Sequence, residues 1–343
     1  MTHTRGQIFS IASLLIIISF IVILYLGAVN LPLREVFYSL LGKEVDSPYA
    51  SVIVLQARLP MAIAAFCCGA TLSVAGLMMQ TIFNNPLAGP SVLGISSGAS
   101  LGVALFMLAS GGIGFSLSGF WSPFLSIIVA LGGSILTIII LLFFSSILKS
   151  RLTLLIVGIM ISYLCSSGIS LLNYFSPADE IRNFIIWGLG SFSSLRLNSS
   201  LWLLIASIIA LSPVFLFIKP LNAMLLGERH LESLGFNGKA IRNQIFFVTG
   251  LLVGIPTAFC GPIGFIGLIV PHLCRIIMRT SNHLLLIPAC IIFGALTGLI
   301  CAIIGILPSP HFGILPINII TPIIGVPVIL YLLINRKKLP YFS

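Results

Sequence analysis

The sequence predicts an all-α integral membrane protein with about ten membrane-crossing helices, and three observations lead there. Of its 343 residues, 58% are hydrophobic and 7% charged, a composition suited to a chain surrounded by lipid. The apolar residues fall into long runs, and a hydrocarbon core about 30 Å thick takes about 20 residues per crossing, which leaves room for roughly ten. The charges gather in the connections between those runs, with basic residues concentrated on alternate ones. No stretch has the composition of a separate soluble domain, so residues 1–343 read as one transmembrane domain.

Taken in order, Thr2 to Arg5 is a short positive start followed by the apolar run Ile8 to Val29. That run is longer than a signal peptide's and lacks a small-residue cleavage site, so it reads as a retained first span. Residues 30–57 carry Arg34, Glu35, Lys43, Glu44 and Asp46 and read as an outer loop. Further spans fall near 60–82, 92–111, 122–148, 152–173 and 198–218, and, beyond a polar interval, near 244–260, 264–278, 283–306 and 316–335.

Ten crossings put both termini on one side, and the charges select which. With the termini cytoplasmic, the inner segments hold Arg5, Lys149, Arg151, Lys219, Arg229, Lys239, Arg242, Arg275, Arg279, Arg336, Lys337 and Lys338. Outside fall Arg34, Lys43, Arg58, Arg182 and Arg196, together with Glu35, Glu44, Asp46, Asp179 and Glu180. This is the positive-inside pattern. The net charge of +10 is thus explained by orientation, and a nucleic-acid partner is not needed.

The longest polar interval, residues 219–243, is then cytoplasmic. Leu225, Leu226, Leu231 and Leu234 recur there at helical spacing among Glu228, Arg229, Lys239 and Arg242, and Gly235 with Asn237 and Gly238 reads as a helix stop and a turn. The pattern is a short amphipathic helix, a break, and a second helix leading into the next span. Either its leucines lie on lipid or on the rest of the protein, or they receive a partner in the cytoplasm.

What the chain lacks narrows the function. No Asp, Glu, Lys or Arg falls near the middle of a proposed span, whereas ion-coupled carriers generally place ionisable groups there. There is no GxxxxGK[ST] phosphate loop, since GFNGKA at Gly235–Ala240 has the wrong spacing, and no HExxH. Neither ATP hydrolysis nor other catalysis is expected of this chain, and no catalytic residue is assigned. The seven cysteines sit in or beside apolar runs without metal-ligand spacing and read as packing residues, so no metal is assigned either. Gly94, Gly98 and Gly102, like Gly294 and Gly298, repeat every four residues and suit close helix contacts. Ser162, Ser166 and Ser170 form a stripe that either lines a watery path or bonds back to its own helix.

Residues 58–102, RLPMAIAAFCCGATLSVAGLMMQTIFNNPLAGPSVLGISSGASLG, resemble the RLPR...GAxLaxxGxxxQxxxxNPLAxPxxLGxxxGA signature of FecCD/BtuC-type permeases. These are subunits of bacterial ATP-binding-cassette importers for iron-siderophores, haem and vitamin B12. GPIGFIGLIVPHLCR at Gly261–Arg275 is similar to that family's GPIxFxGLxxPHxxR, and LPINIITPIIGVPVILYLL at Leu315–Leu333 to its ELPxGxxTxxxGxPxFxxLL. The likeness covers roughly residues 55–335 in the right order, and it does not select a ligand.

The resemblance implies a permease of the bacterial inner membrane that works as two copies, or with a close paralogue. Two ATPases beneath would bind ATP and magnesium, a soluble binding protein would sit above, and no cofactor would belong to this chain. It implies alternating access, with Leu225, Leu226, Glu228, Arg229, Leu231, Leu234, Gly235, Lys239 and Arg242 in the element seated on the ATPase. Asn85, Pro86 and Leu87 would form an inner gate, Ser150 and Arg151 a second constriction, and Ser162, Ser166 and Ser170 part of the path. Asn85 also reads as a capping side chain, which the gate role does not exclude.

Departures from the family pattern bear on docking. RLPR reads RLPM, with Met61 for the second basic residue, and Ile303 and Leu307 stand where an acid and an arginine are often found. Arg58 is left as the docking arginine, with Arg34, Lys43 or Arg182 as helpers. His272, next to Arg275, reads as a helix-end residue rather than a haem ligand, and His311 in SPHFG as an outer-loop residue free to touch cargo or binding protein. NNPLAGPSVLG and FCGPIGFIG echo one another, one expected inside and one outside, as in an inverted repeat. The alternative function is a secondary transporter or channel without an ATPase.

Overall fold

A computed structural model describes residues 2–27, 29–43, 47, 49–113, 122–148, 150–309 and 313–334. Glu44, Asp46, Lys149, His311, Arg336, Lys337 and Lys338 lie outside the described residues, as do the side chains of Arg151, Glu228 and Arg229. The described chain is helical, without strands. In order, the helices are α1 (Thr2–Tyr25), α2 (Leu33–Leu40), α3 (Ala50–Ile53), α4 (Leu59–Ile82), α5 (Ile95–Ile113), α6 (Ser122–Ile147), α7 (Arg151–Phe175) and α8 (Ala178–Gly188). They continue with α9 (Leu197–Leu211), α10 (Ile218–Leu225), α11 (Glu228–Ser233), α12 (Gly238–Cys260), α13 (Ile266–Met278), α14 (His283–Ile306) and α15 (Ile317–Ile334).

Among the described residues, seven helical stretches are long and apolar enough to cross a membrane. Three shorter apolar helices, Ile95–Leu108, Ile266–Met278 and Ile317–Tyr331, fall where the other expected spans lie. The 13 residues of α13 rise only about 20 Å, less than the hydrocarbon thickness. α2 and α8 are additional helices in segments expected to be loop.

α4 is the centre, enclosed by α9, α12, α13 and α14. Lipid offers no hydrophobic drive between helices, so contact here depends on close backbone approach. A side chain on Gly69 would collide with the carbonyl of Gly294, one on Gly298 with the carbonyl of Ala65, and one on Gly76 with the carbonyl of Gly267. The same device joins α5 to α6, where Gly98 lies against Gly133 and Gly102 against Val129. Gly94 differs, because it ends a short 3-10 turn with φ of 76°.

α12 stops level with the middle of α4, where the thiols of Cys260 and Cys68 are 3.5 Å apart. The irregular backbone that follows must find its hydrogen bonds within the protein. Asn318, at the start of α15, supplies them: its Nδ2 donates to Pro262 O at 2.6 Å and Gly188 O at 3.3 Å, and its Oδ1 accepts from Gly264 N at 3.1 Å. Ser191 N donates to Cys260 O at 2.8 Å and Ile317 N to Gly190 O at 3.1 Å. Phe265, with φ of 67°, then opens α13.

Candidate functional site

Two ends of the bundle matter for function, and α4 separates them by about 35 Å. At one end Arg58 enters α4, and at the other Thr81 and the Asn84–Leu87 turn leave it.

The turn forms because α4 stops at Ile82 and Asn84 takes a left-handed conformation with φ of 45°. Asn85 N donates to Gln80 O at 3.1 Å, and the Asn85 side chain accepts from Leu87 N at 3.0 Å, an Asx turn. The Asn85 side chain thus stabilises the turn itself and caps neither α4 nor the short helical turn at Pro90–Leu93. Pro86 is half-buried and Leu87 exposed at the tip. Farther along, Gly89, Pro90 and Ser91 face Ile263, Gly264 and Phe265 across a cavity of about 130 Å³. Residues of the two echoing segments thus meet around one cavity.

Beneath the turn is a buried polar pair that sequence reasoning missed. Gln80 donates through Nε2 to Leu268 O at 3.0 Å and accepts through Oε1 from Arg275 Nη1, joining α4 to α13. Gln80 and Arg275 are both buried. The available signal is one polar residue in an otherwise apolar span, facing a basic residue one helix end away. His272 is buried beside them, but it lies in the middle of α13 and not at a helix end.

The amphipathic pair forms at the same end as the turn. α11 ends at Ser233, Gly235 has φ of 82°, and the Asn237 side chain caps α12 by accepting from Ala240 N at 3.1 Å, as the helix-stop reading expected. The leucines, however, do not share one face. Leu231 is 0% exposed and packs into the core, whereas Leu225, Leu226 and Leu234 are exposed, Leu234 by 56%. The expectation that Leu231 presents itself to a partner is corrected: it is the anchor that holds α11 down. Lys239 is exposed. Arg242 points inward, its Nε 3.3 Å from Ser145 Oγ and its Nη2 donating to Ser145 O at 3.1 Å, so it braces α12 against α6. Asn222 on α10 meets His283 of α14 and through it Thr81 of α4.

Ser150 caps α7, accepting from Thr153 N at 3.3 Å. Along α7, Ser162 donates to Gly158 O at 3.1 Å and Ser170 to Ser166 O at 3.0 Å. Back-bonding is thus present, yet Ser166 and Ser170 remain exposed, so the stripe also faces outward.

At the other end, the docking expectation for Arg58 is corrected. Arg58 is buried, 6% exposed, and its guanidinium donates to Leu24 O at 2.9 Å, Tyr25 O at 2.8 Å and Val29 O at 2.5 Å. A cation on the last carbonyls of α1 is a helix C-cap, and its donors are turned inward. Arg182 and Lys43 are exposed at this end, and Arg34 and Lys43 lie over the Tyr38 ring at 5.0 and 5.8 Å.

Comparison with known proteins agrees with this arrangement. The vitamin B12 import system permease proteins BtuC of Salmonella typhi and Salmonella newport are each 34% identical over 298 residues, covering 85% of this chain and 86% of theirs. A solved metal-chelate type ABC transporter in an inward-facing conformation superposes with a TM-score of 0.80 at 29% identity, over 97% of this chain and 99% of that one. The profile of the FecCD transport family matches residues 14–335, and the chain belongs to that family, as a membrane transport subunit and not an enzyme.

Proposed function

We propose that the chain is the permease of an ATP-driven importer that carries an iron chelate (a siderophore or haem) or vitamin B12 across a bacterial inner membrane. The family match over residues 14–335 carries this reading. In it the α10–α11 end faces the cytoplasm and the Arg58 end faces outward, in keeping with the charge asymmetry. Two copies, or this chain with a close paralogue, enclose the path. The exposed serines of α7 support placing that helix on it, since hydroxyls gain little from facing lipid.

The mechanism is alternating access. Closure of two separate ATPases, which hold ATP and magnesium, pushes α10 and α11 through Leu225, Leu226, Leu234 and Lys239, with Glu228 and Arg229 on the same short helix. Leu231 transmits that push into the core, Gly235 lets α11 end and the chain turn, and Arg242 keeps the base of α12 in step with α6. The Asn85-Pro86-Leu87 turn opens and closes the inner mouth, near the Ser150–Arg151 constriction. Ser162, Ser166 and Ser170 offer weak polar contacts, suited to a bulky chelate held by shape. A soluble binding protein docks at the outer end on Arg34, Lys43 and Arg182, without Arg58.

Native mass spectrometry of the tagged protein, purified gently from its own membrane, tests the reading. The expected assembly holds two permease chains and two ATPases. A stable assembly without an ATPase, whose uptake continues without ATP, would replace it with the secondary-transporter reading.

A further inference from the structure

A chain of hydrogen bonds runs from α10 to the foot of α4. The backbone N–H of His283 donates to Asn222 Oδ1 at 2.8 Å, and Nδ1 of the same histidine is 2.8 Å from that oxygen. A backbone N–H can only donate, so Oδ1 is an acceptor and Nδ1 must carry a proton to bond to it. Asn222 is held in this orientation by Asn282, whose Oδ1 accepts from Asn222 Nδ2 at 2.9 Å and from Leu284 N at 2.9 Å. On the other side of the ring, Nε2 is 2.8 Å from Thr81 Oγ1, which is also 3.0 Å from Leu77 O. In the neutral ring Nε2 is an acceptor, and the single hydroxyl proton of Thr81 serves it as the nearer of two acceptors. His283 and Thr81 are both buried, so no water competes for these bonds.

The next links reach the turn. Thr81 O accepts from Asn84 N at 3.2 Å and Gln80 O from Asn85 N at 3.1 Å. Three side chains therefore connect a surface helix to Thr81, whose carbonyl holds Asn84, the first residue of the Asn84–Leu87 turn. Such a chain is directional, unlike the apolar contacts around it, and loses its bonds over less than 1 Å of displacement.

We propose that Asn222, His283 and Thr81 are positioning residues that transmit movement of α10 and α11 to the Asn84–Leu87 turn. The proposal rests on the coupling reading above and names its route. A purely structural role for these residues would give variants of lower stability whose turn still responds to nucleotide.

The test uses the full complex, permease with its ATPases, reconstituted in proteoliposomes. The native cysteines are all buried, so Leu87→Cys, at an exposed position, reports on the turn through its rate of labelling by a water-soluble maleimide. In this parent the rate is expected to change about fivefold or more between the nucleotide-free state and the state trapped with ATP and vanadate. Adding Thr81→Val, nearly equal in volume but without the hydroxyl, should bring the ratio to about one while ATP hydrolysis continues, and Thr81→Ser should restore it. Asn222→Ala, at a half-exposed position, should do as Thr81→Val does and serves if the latter fails to fold. A parent that responds together with Thr81→Val and Asn222→Ala variants that respond equally would overturn the relay and leave the coupling reading standing. A parent whose turn ignores nucleotide would remove both.

Discussion

α4 and α7 are alike in sequence terms and opposite in the structure. They have 24 and 25 residues and belong to equally apolar stretches, yet the stretch containing α4 is 89% buried and that containing α7 is 22% buried. Residue size makes the difference. α4 offers Gly69 and Gly76 with a series of alanines, so neighbouring backbones come into contact, whereas α7 turns Tyr163, Leu164, Tyr174 and Phe175 outward. In a membrane, hydropathy places a helix in the layer, and the pattern of small residues decides whether protein surrounds it.

The sharpest way to break this contrast is to put bulk into α4. In Gly76→Leu the new side chain meets the backbone of Gly267, which cannot move as a rotamer can. Destabilisation of about 3 kcal/mol or more is expected, read as a large fall in the unfolding midpoint in detergent, whereas Leu164→Ala on the exposed face of α7 should change it by less than about 0.5 kcal/mol. Equal effects would mean that α7 packs within the subunit as tightly as α4.

Next in size is Gln80→Leu. It leaves the Arg275 guanidinium buried without the acceptor it uses now, an expected loss of about 2 to 3 kcal/mol. Because Gln80 also holds Leu268 O on α13, α12–α13 should become easier to cleave by added protease. An unchanged midpoint would show that Arg275 finds another partner at little cost.

These two residues also mark what was legible in the sequence. The spans were, because apolar runs of about 20 residues have few other uses. So was the end of α11, because Gly235 and Asn237 are a stop and a cap by their own chemistry. The partner of an isolated polar residue was not: Gln80 and Arg275 are 195 positions apart, and no periodicity brings them together. Arg58 was misplaced for a related reason. Its charge implied exposure, but burial was made affordable by the carbonyl ends of α1, which the sequence reveals only once α1 is known to end there. The leucines of α10 and α11 were read as one amphipathic set, yet they divide between core and surface, because a six-residue helix is too short for spacing alone to say which leucine turns inward.

That division yields the third prediction. Leu231→Ala removes a buried anchor, with an expected cost of about 2 kcal/mol, whereas Leu234→Ala should cost less than about 0.5 kcal/mol. Leu234→Asp should also fold normally, and if α11 seats on an ATPase it should lower transport relative to ATP hydrolysis. Uptake and hydrolysis both at the parent level in Leu234→Asp would detach α11 from coupling.

The smallest effect on stability answers the largest remaining question about α7, namely what its open side faces. Lipid, a second copy of the chain and a water-filled path would each leave the side chains exposed in an isolated subunit. They differ in what can react there. Ser166→Cys changes one exposed atom on a helix whose native Cys165 is buried, so folding should be unaffected within about 0.5 kcal/mol. A thiol in lipid or in a dry protein interface has too little thiolate to react with a water-soluble maleimide, since the anion is disfavoured where water is absent. A thiol on a wet path reacts readily. Labelling of Ser166→Cys in intact membranes, at a rate well above that of the parent chain, is therefore expected if α7 lines the path. Ile156→Cys, on a residue that is also exposed but lies off the serine stripe, should react more slowly. Equal and slow labelling at both positions would assign the whole open side of α7 to lipid or to the second copy, and the back-bonded serines would then be explained by helix packing alone.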